Sequence, residues 1–128
     1  MSYSFTKIVP TGFDETIENV TAALGERGFG VLTTIDVKAT LKKKIDVDVP
    51  PYTILGACNP GFAHKALQAE PLIGTMLPCN VVVRETADGR VEVAAVDPVA
   101  SMQAIDNPEL GKIAGEVRNL LRETVESL

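Results

Sequence analysis

The chain has no tryptophan, one histidine and two cysteines among its 128 residues, with only four Phe and two Tyr. A core built from this set must be aliphatic. No apolar run approaches the ~18–20 residues of a membrane span. The opening MSYSFTKIVP lacks the charged-then-apolar order of a signal peptide. These absences predict a cytoplasmic protein, free of membrane association, with both thiols reduced. Basic excess is missing as well, since 12 Lys and Arg face 17 Asp and Glu for a net charge of −5. Neither half is cationic: residues 1–60 carry six basic and seven acidic side chains, and residues 61–128 carry six and ten. Nucleic acid is therefore excluded as a general partner. The phosphate-cradling patterns GxxxxGK[ST] and GxGxxG are absent. No serine sits at a sharp strand-to-helix elbow where a Ser-His-Asp nucleophile would stand.

What is present reads as one folded domain over residues 1–128, at 45% hydrophobic and 23% charged residues. YSFTKIV alternates like a strand and ends at Pro10. Phe13, Ile17, Val20 and Leu24 recur at helical spacing, with Asp14, Glu15 and Glu18 in the first turns and Gly28 as the stop. FGVLTTIDV and YTILGAC read as strands on either side of a short helix striped by Val37, Leu41 and Ile45. Three Asx-Pro pairs, Asn59-Pro60, Asp97-Pro98 and Asn107-Pro108, mark helix starts, because Asx caps and Pro needs no N–H at N1. CNVVVRE and RVEVAAV flank Asp88-Gly89, a hairpin turn signal. A two-residue turn there pairs Ala87 with Arg90 and Asn80 with Asp97. It also sets Glu85 against Glu92, a repulsion that a bulge would relieve. Leu110, Ile113, Ala114, Val117, Leu120, Leu121 and Leu128 stripe a long C-terminal helix. The expected fold is a single compact α+β domain, a mixed β-sheet with a hairpin and helices packed against it.

The reactive side chains cluster in ILGACNPGFAHKALQAEPLIGTMLPCN, Ile54 to Asn80, which holds both cysteines and the histidine. Cys58 ends a strand just before a helix N-cap, where backbone N–H groups favour a thiolate; a small buried hydrophobe is the plainer alternative. His64 falls just beyond the edge of its helix's buried arc, placed either for acid–base work or as an idle surface residue. Glu70 would sit on the apolar arc, but Pro71 should turn it out of the helix. Cys79 leads into the most strand-like segment and should be the more buried thiol. It meets Cys58 at one sheet edge only if their strands run antiparallel. A metal site on Cys58, His64 and Cys79 is not expected, because C-x5-H-x14-C matches no standard pattern and there is no CxxC. Lys42-Lys43-Lys44 reads as a solvated helix face rather than a phosphate site.

The segments GFGVLTTIDVKATLKKK, PPYTILGACNPGFAHKALQAEPLIGTMLPCNVVVRE and AAVDP resemble domain-of-unknown-function family 302, a prokaryotic group, from about Gly28 to Pro98. Its recurrent positions fall here on Gly56, Cys58, Asn59, Pro60, Ala66, Leu67, Pro71, Gly74, Pro78, Cys79, Asn80 and Val81. The resemblance implies a compact α+β fold, commonly a homodimer, and carries no established activity, cofactor or reaction.

Two functions from different classes follow. One is a small-molecule or anion-binding pocket formed by Cys58, Asn59, His64, Cys79 and Asn80, with Cys58 as the reactive thiol and Asn59 beside the helix amides holding negative charge. The other is a dimeric interaction or regulatory module with structural cysteines and no catalysis. A homodimer is expected under either, from the aliphatic C-terminal stripe and the apolar faces of the hairpin.

Overall fold

A computed structural model of the protein describes residues 2–128. The elements follow the order β1 (Ser4–Val9), α1 (Phe13–Glu26), β2 (Gly30–Asp36), α2 (Val37–Ile45), β3 (Tyr52–Cys58), α3 (Pro60–Ala69), a 3-10 turn (Pro71–Met76), β4 (Cys79–Glu85), β5 (Val91–Val96), α4 (Pro98–Ser101) and α5 (Pro108–Glu126). The five strands form one sheet in the order β1-β5-β4-β3-β2. Every neighbouring pair is antiparallel, so the mixed sheet expected from sequence is antiparallel throughout. Each sequence neighbour returns beside its predecessor or closes the sheet at its edge. No connection needs the parallel crossover that a mixed sheet requires.

One sheet face is buried under helices. Alternation along β4 and β5 turns Val81, Val83, Val91, Val93 and Ala95 inward, and α1 and α5 lay Val20, Leu24, Leu110, Leu121 and Val125 against them. The C-terminal stripe is thus consumed by the chain's own core. Lys7 reaches the C-terminal end of α5, donating to the Glu126 carbonyl at 3.0 Å and to the Leu128 carbonyl, a cation where the helix dipole is negative. Helix α2 buries none of its residues. Its lysines are exposed, and Lys42 pairs with Asp46 at 2.8 Å. Gly28 ends the first helix segment at φ +83°, a conformation that glycine adopts without steric penalty.

All three Asx-Pro pairs stand at helix starts, and Asp88-Gly89 lies at the tip of an antiparallel hairpin. The hairpin register differs by one residue from the two-residue-turn expectation. The Thr86 N–H donates to the Arg90 carbonyl at 2.7 Å, and the Gly89 N–H donates to the Thr86 carbonyl at 2.9 Å. The turn is therefore the three-residue kind, with Gly89 left-handed at φ +81°. The shift places Glu92 opposite Arg84 instead of Glu85, and the two side chains pair at 2.8 Å. An expected repulsion becomes a cross-strand attraction, and turn chemistry and charge select the same register.

At Gly56 the sheet leaves no room for a side chain. A Cβ there would lie 2.7 Å from Pro78 Cγ and would collide with Thr33 Oγ1. Gly56→Ala is expected to destabilise the fold by about 1–3 kcal/mol, as overpacking does. Adding Thr33→Ala should recover only part, because the proline ring stays in place. Urea unfolding of the single and double variants checks this. A neutral single substitution would mean the strand can shift at no cost.

Candidate functional site

Because β3 and β4 run antiparallel, the end of one meets the start of the other. Ala57 pairs with Cys79, and Cys58 is the next residue along. Cys58 and Cys79 both line one cavity of about 310 Å³ between the sheet and the helices α3, α4 and α5. Helix α3 supplies Phe62, Ala63, Ala66 and Leu67, and α5 supplies Leu110, Ile113, Ala114 and Val117. Phe29, Pro98 and Met102 complete the interior, and Leu32, Leu77 and Pro78 are also part of the lining. Apart from the two thiols, the only polar side chain in this lining is Asn59; none is charged.

Helix α3 is held at both ends by asparagine side chains. At its start, Asn59 occupies the N-cap position, but its side chain does not cap. Its amide instead donates to the Arg27 carbonyl at 3.4 Å, beyond the end of α1. Gly28 leaves room for this contact, since a Cβ there would approach Asn59 Nδ2 to 3.1 Å. The capping expected of Asn59 is thus replaced by a tie between two helix ends. At the other end, Asn107 caps α5 by accepting from the Leu110 N–H at 3.2 Å, while its amide donates to the Ala69 carbonyl at 2.9 Å. One residue therefore fixes the two helices that flank the cavity. Glu70 leaves the helix at φ −146°, as the following proline dictates.

The α4 end is built around Asp97. One carboxylate oxygen accepts from the Val99 and Ala100 N–H groups at 3.0 and 3.4 Å, and the other accepts from Arg118 Nε at 3.1 Å. Arg118 also lies 5.7 Å from the Phe5 ring centroid, within cation–π range. The Asp-Pro of AAVDP thereby sets Pro98 and Met102 against the cavity.

The five candidate residues separate into two groups. Cys58, Asn59 and Cys79 line the cavity; His64 and Asn80 do not, and both are exposed. His64 lies on the outer side of α3. Asn80 follows Cys79 in a strand, and successive strand residues point to opposite faces. The set Cys58, His64 and Cys79 is therefore not brought together, and no group of three His, Cys, Asp or Glu side chains among the described residues could hold a metal ion. Sequence reasoning found the stripe of α5, and offered it to a dimer contact, but did not connect Leu110, Ile113 and Val117 with the thiols. Phe29 and Met102 were not singled out at all.

Both cysteines are free thiols, Cys58 half-buried and Cys79 buried, the order of exposure expected from their places in the strands. Burial pushes the Cys79 thiol up to about 11 from an ordinary 9.0, and the neighbouring Cys58 adds to the shift by repulsion between the two sulfur charges. Cys79 is therefore a buried wall residue held in its protonated form, and Cys58 is the more accessible of the two thiols.

A family model described as "Domain of unknown function DUF302" matches residues 5–128. A crystal structure titled as an uncharacterized conserved protein DUF302 from Bacillus stearothermophilus is 31% identical, with a TM-score of 0.92 and 98% of both chains covered. An uncharacterized protein of Aquifex aeolicus (strain VF5) is 32% identical over 74 residues, 48% of this chain and 51% of that one. The match spans about half the length of that relative.

The raised Cys79 thiol makes stability fall at alkaline pH. The unfolded thiol releases its proton from about pH 9.0 and the folded one only near 11, so the unfolded state is favoured increasingly across that interval. Stability held below pH 9 should decline by on the order of 2 kcal/mol by pH 11. Cys79→Ala should remove that portion of the decline, measured by urea unfolding against pH. In native protein, iodoacetamide should alkylate Cys58 well before Cys79. Earlier modification of Cys79 would contradict the assignment.

Proposed function

The chain belongs to the DUF302 family, and we propose that it is a binding domain for a small, predominantly apolar molecule, held in the cavity between the sheet and α3 to α5. One observation carries this reading: about 310 Å³ lined by aliphatic and aromatic side chains, with a carboxamide and two sulfurs as its polar features. That volume lies at the lower end of small-molecule sites, and such sites pair an apolar lining with few polar groups. Between the two ligand classes expected from sequence, the lining favours the small molecule over the anion. No cationic side chain reaches the cavity, and the Asn59 amide is committed to Arg27. Cys58 and Asn59 would meet the polar end of the ligand, and the alanines of α3 and α5 its hydrocarbon part. Cys58 is the one accessible thiol there, available for a soft contact or a covalent adduct. The proposal places the protein in the cytoplasm, where both thiols stay reduced. No helix among the described residues is long and apolar enough to cross a membrane.

The second reading, a dimeric interaction module, draws on the sheet face turned away from α1, α3 and α5, where Ile8 and Ile35 are 40% and 46% exposed. The two are compatible, because the cavity lies on the helix side of the sheet.

An environment-sensitive naphthalene fluorophore should bind the native protein with a blue-shifted emission and one saturable site. Ala114→Leu, which extends a side chain into the cavity from α5, should abolish that binding while leaving stability unchanged or higher, because it fills space rather than making a void. Alkylating Cys58 should compete with the probe. Full probe binding by a folded Ala114→Leu protein would place the probe elsewhere and sink the reading.

A further inference from the structure

An irregularity in the edge strand β2 marks where the cavity opens. Val31 pairs with Ala57 and Thr33 with Gly56, so Leu32 is an extra residue between two successive pairs, a bulge. Regular alternation would turn Leu32 to the sheet face opposite Val31. Instead it joins the cavity lining. Leu32 is nonetheless 67% exposed, and Leu67 of α3, also in the lining, is 43% exposed. A large aliphatic side chain that both lines a cavity and meets solvent stands at its edge. The two leucines therefore form the lips of an opening between β2 and α3. Gly30 pairs with Cys58, so the half-buried Cys58 and Asn59 lie at this same end.

Charge on these two lips has one sign. From Gly30 to Ile35 and from Pro60 to Ala69, Lys65 is the only residue among Lys, Arg, Asp and Glu, on a chain whose net charge is −5. Its ammonium lies 5.7 Å from the centroid of the Phe62 ring, and Phe62 is part of the cavity lining. That distance is within cation–π range, so the ring draws the cation toward the cavity wall. Lys65 is exposed, and no carboxylate among the described residues pairs with it. An unpaired cation is thus held at the rim while the interior stays uncharged.

We propose that the cavity takes the hydrocarbon tail of a medium-chain carboxylic acid through the opening between β2 and α3, leaving the carboxylate at the rim beside Lys65. This rests on the cavity being a site for an apolar molecule, and adds which end of that molecule is charged and where it stops. Each methylene removed from water favours the tail inside. A carboxylate taken into the interior would lose its hydration and find no cation there, so the head stays out. One ammonium matches a single negative charge, and neither lip carries an arginine to fork a phosphate. A cavity of about 310 Å³ is at the small end of ligand sites and suits a medium chain rather than a long lipid.

Titration calorimetry of the full chain with octanoate and with 1-octanol, equal in chain length and different in charge, tests this. Both should bind at one saturable site, and Ala114→Leu should abolish both. Lys65→Glu exchanges an attraction for a repulsion, so at low salt it should weaken octanoate about tenfold and change octanol less than about twofold. Leu32→Glu, on the other lip, should also weaken octanoate more than octanol. Both positions are exposed, and circular dichroism of the two variants should match the wild type. Octanol binding together with octanoate binding that neither added charge disturbs would overturn the placement of the head group and leave the cavity reading standing. Binding of neither compound would overturn both.

Discussion

The antiparallel pairing of β3 with β4 is the constraint on which the site depends. Setting Ala57 opposite Cys79 brings two thiols separated by a whole helix and a 3-10 turn to one end of the sheet. The pairing is tight at one point. Gly56 admits the Pro78 ring and the Thr33 hydroxyl because it has no Cβ. The proline before β4 is thereby packed against the strand that ends in Cys58. The same close approach fixes where α3 begins, since Asn59 follows Cys58 directly.

What the sheet begins, two asparagines complete. Asn59 ties the start of α3 to the end of α1, and Asn107 ties the end of α3 to the start of α5. Helix α3 is thus suspended between fixed points and need not collapse onto its neighbours. The facing walls carry Ala63, Ala66 and Ala114 where larger side chains would close the gap. Unfilled apolar space forfeits dispersion contacts and lowers stability in proportion to its volume. Small residues kept opposite one another across such a space are a stability cost that a bound molecule would offset.

Much of this was legible in the sequence, for local reasons. Three Asx-Pro pairs, the periodic stripe of α1 and the strand YTILGAC each carry their own physical signal within a few residues. The features that escaped it depend on distant partners. Strand sense decides whether Cys58 and Cys79 meet, and no local pattern encodes it. The hairpin register turned on Arg84 meeting Glu92, although the repulsion predicted for Glu85 with Glu92 already marked the simpler turn as strained. Asn80 is instructive in another way. Strand alternation, read directly, turns it to the face opposite Cys79 and away from the cavity. His64 is outside the cavity as well, exposed at a position beyond the apolar arc of its helix. The contribution of α5 to the cavity was hidden because Leu110, Ile113 and Val117 read equally well as ordinary core.

The cavity is the claim on which the functional account rests, and side-chain methyl NMR tests it directly. Titrating native protein with a short aliphatic alcohol should shift the methyl resonances of Ala63, Ala66 and Ala114 together, saturably and with one affinity. The Thr6 and Ile35 methyls on the opposite sheet face should stay in place. Uniform, unsaturated shifts over the whole surface, or none at those alanines while other methyls move, would contradict the account.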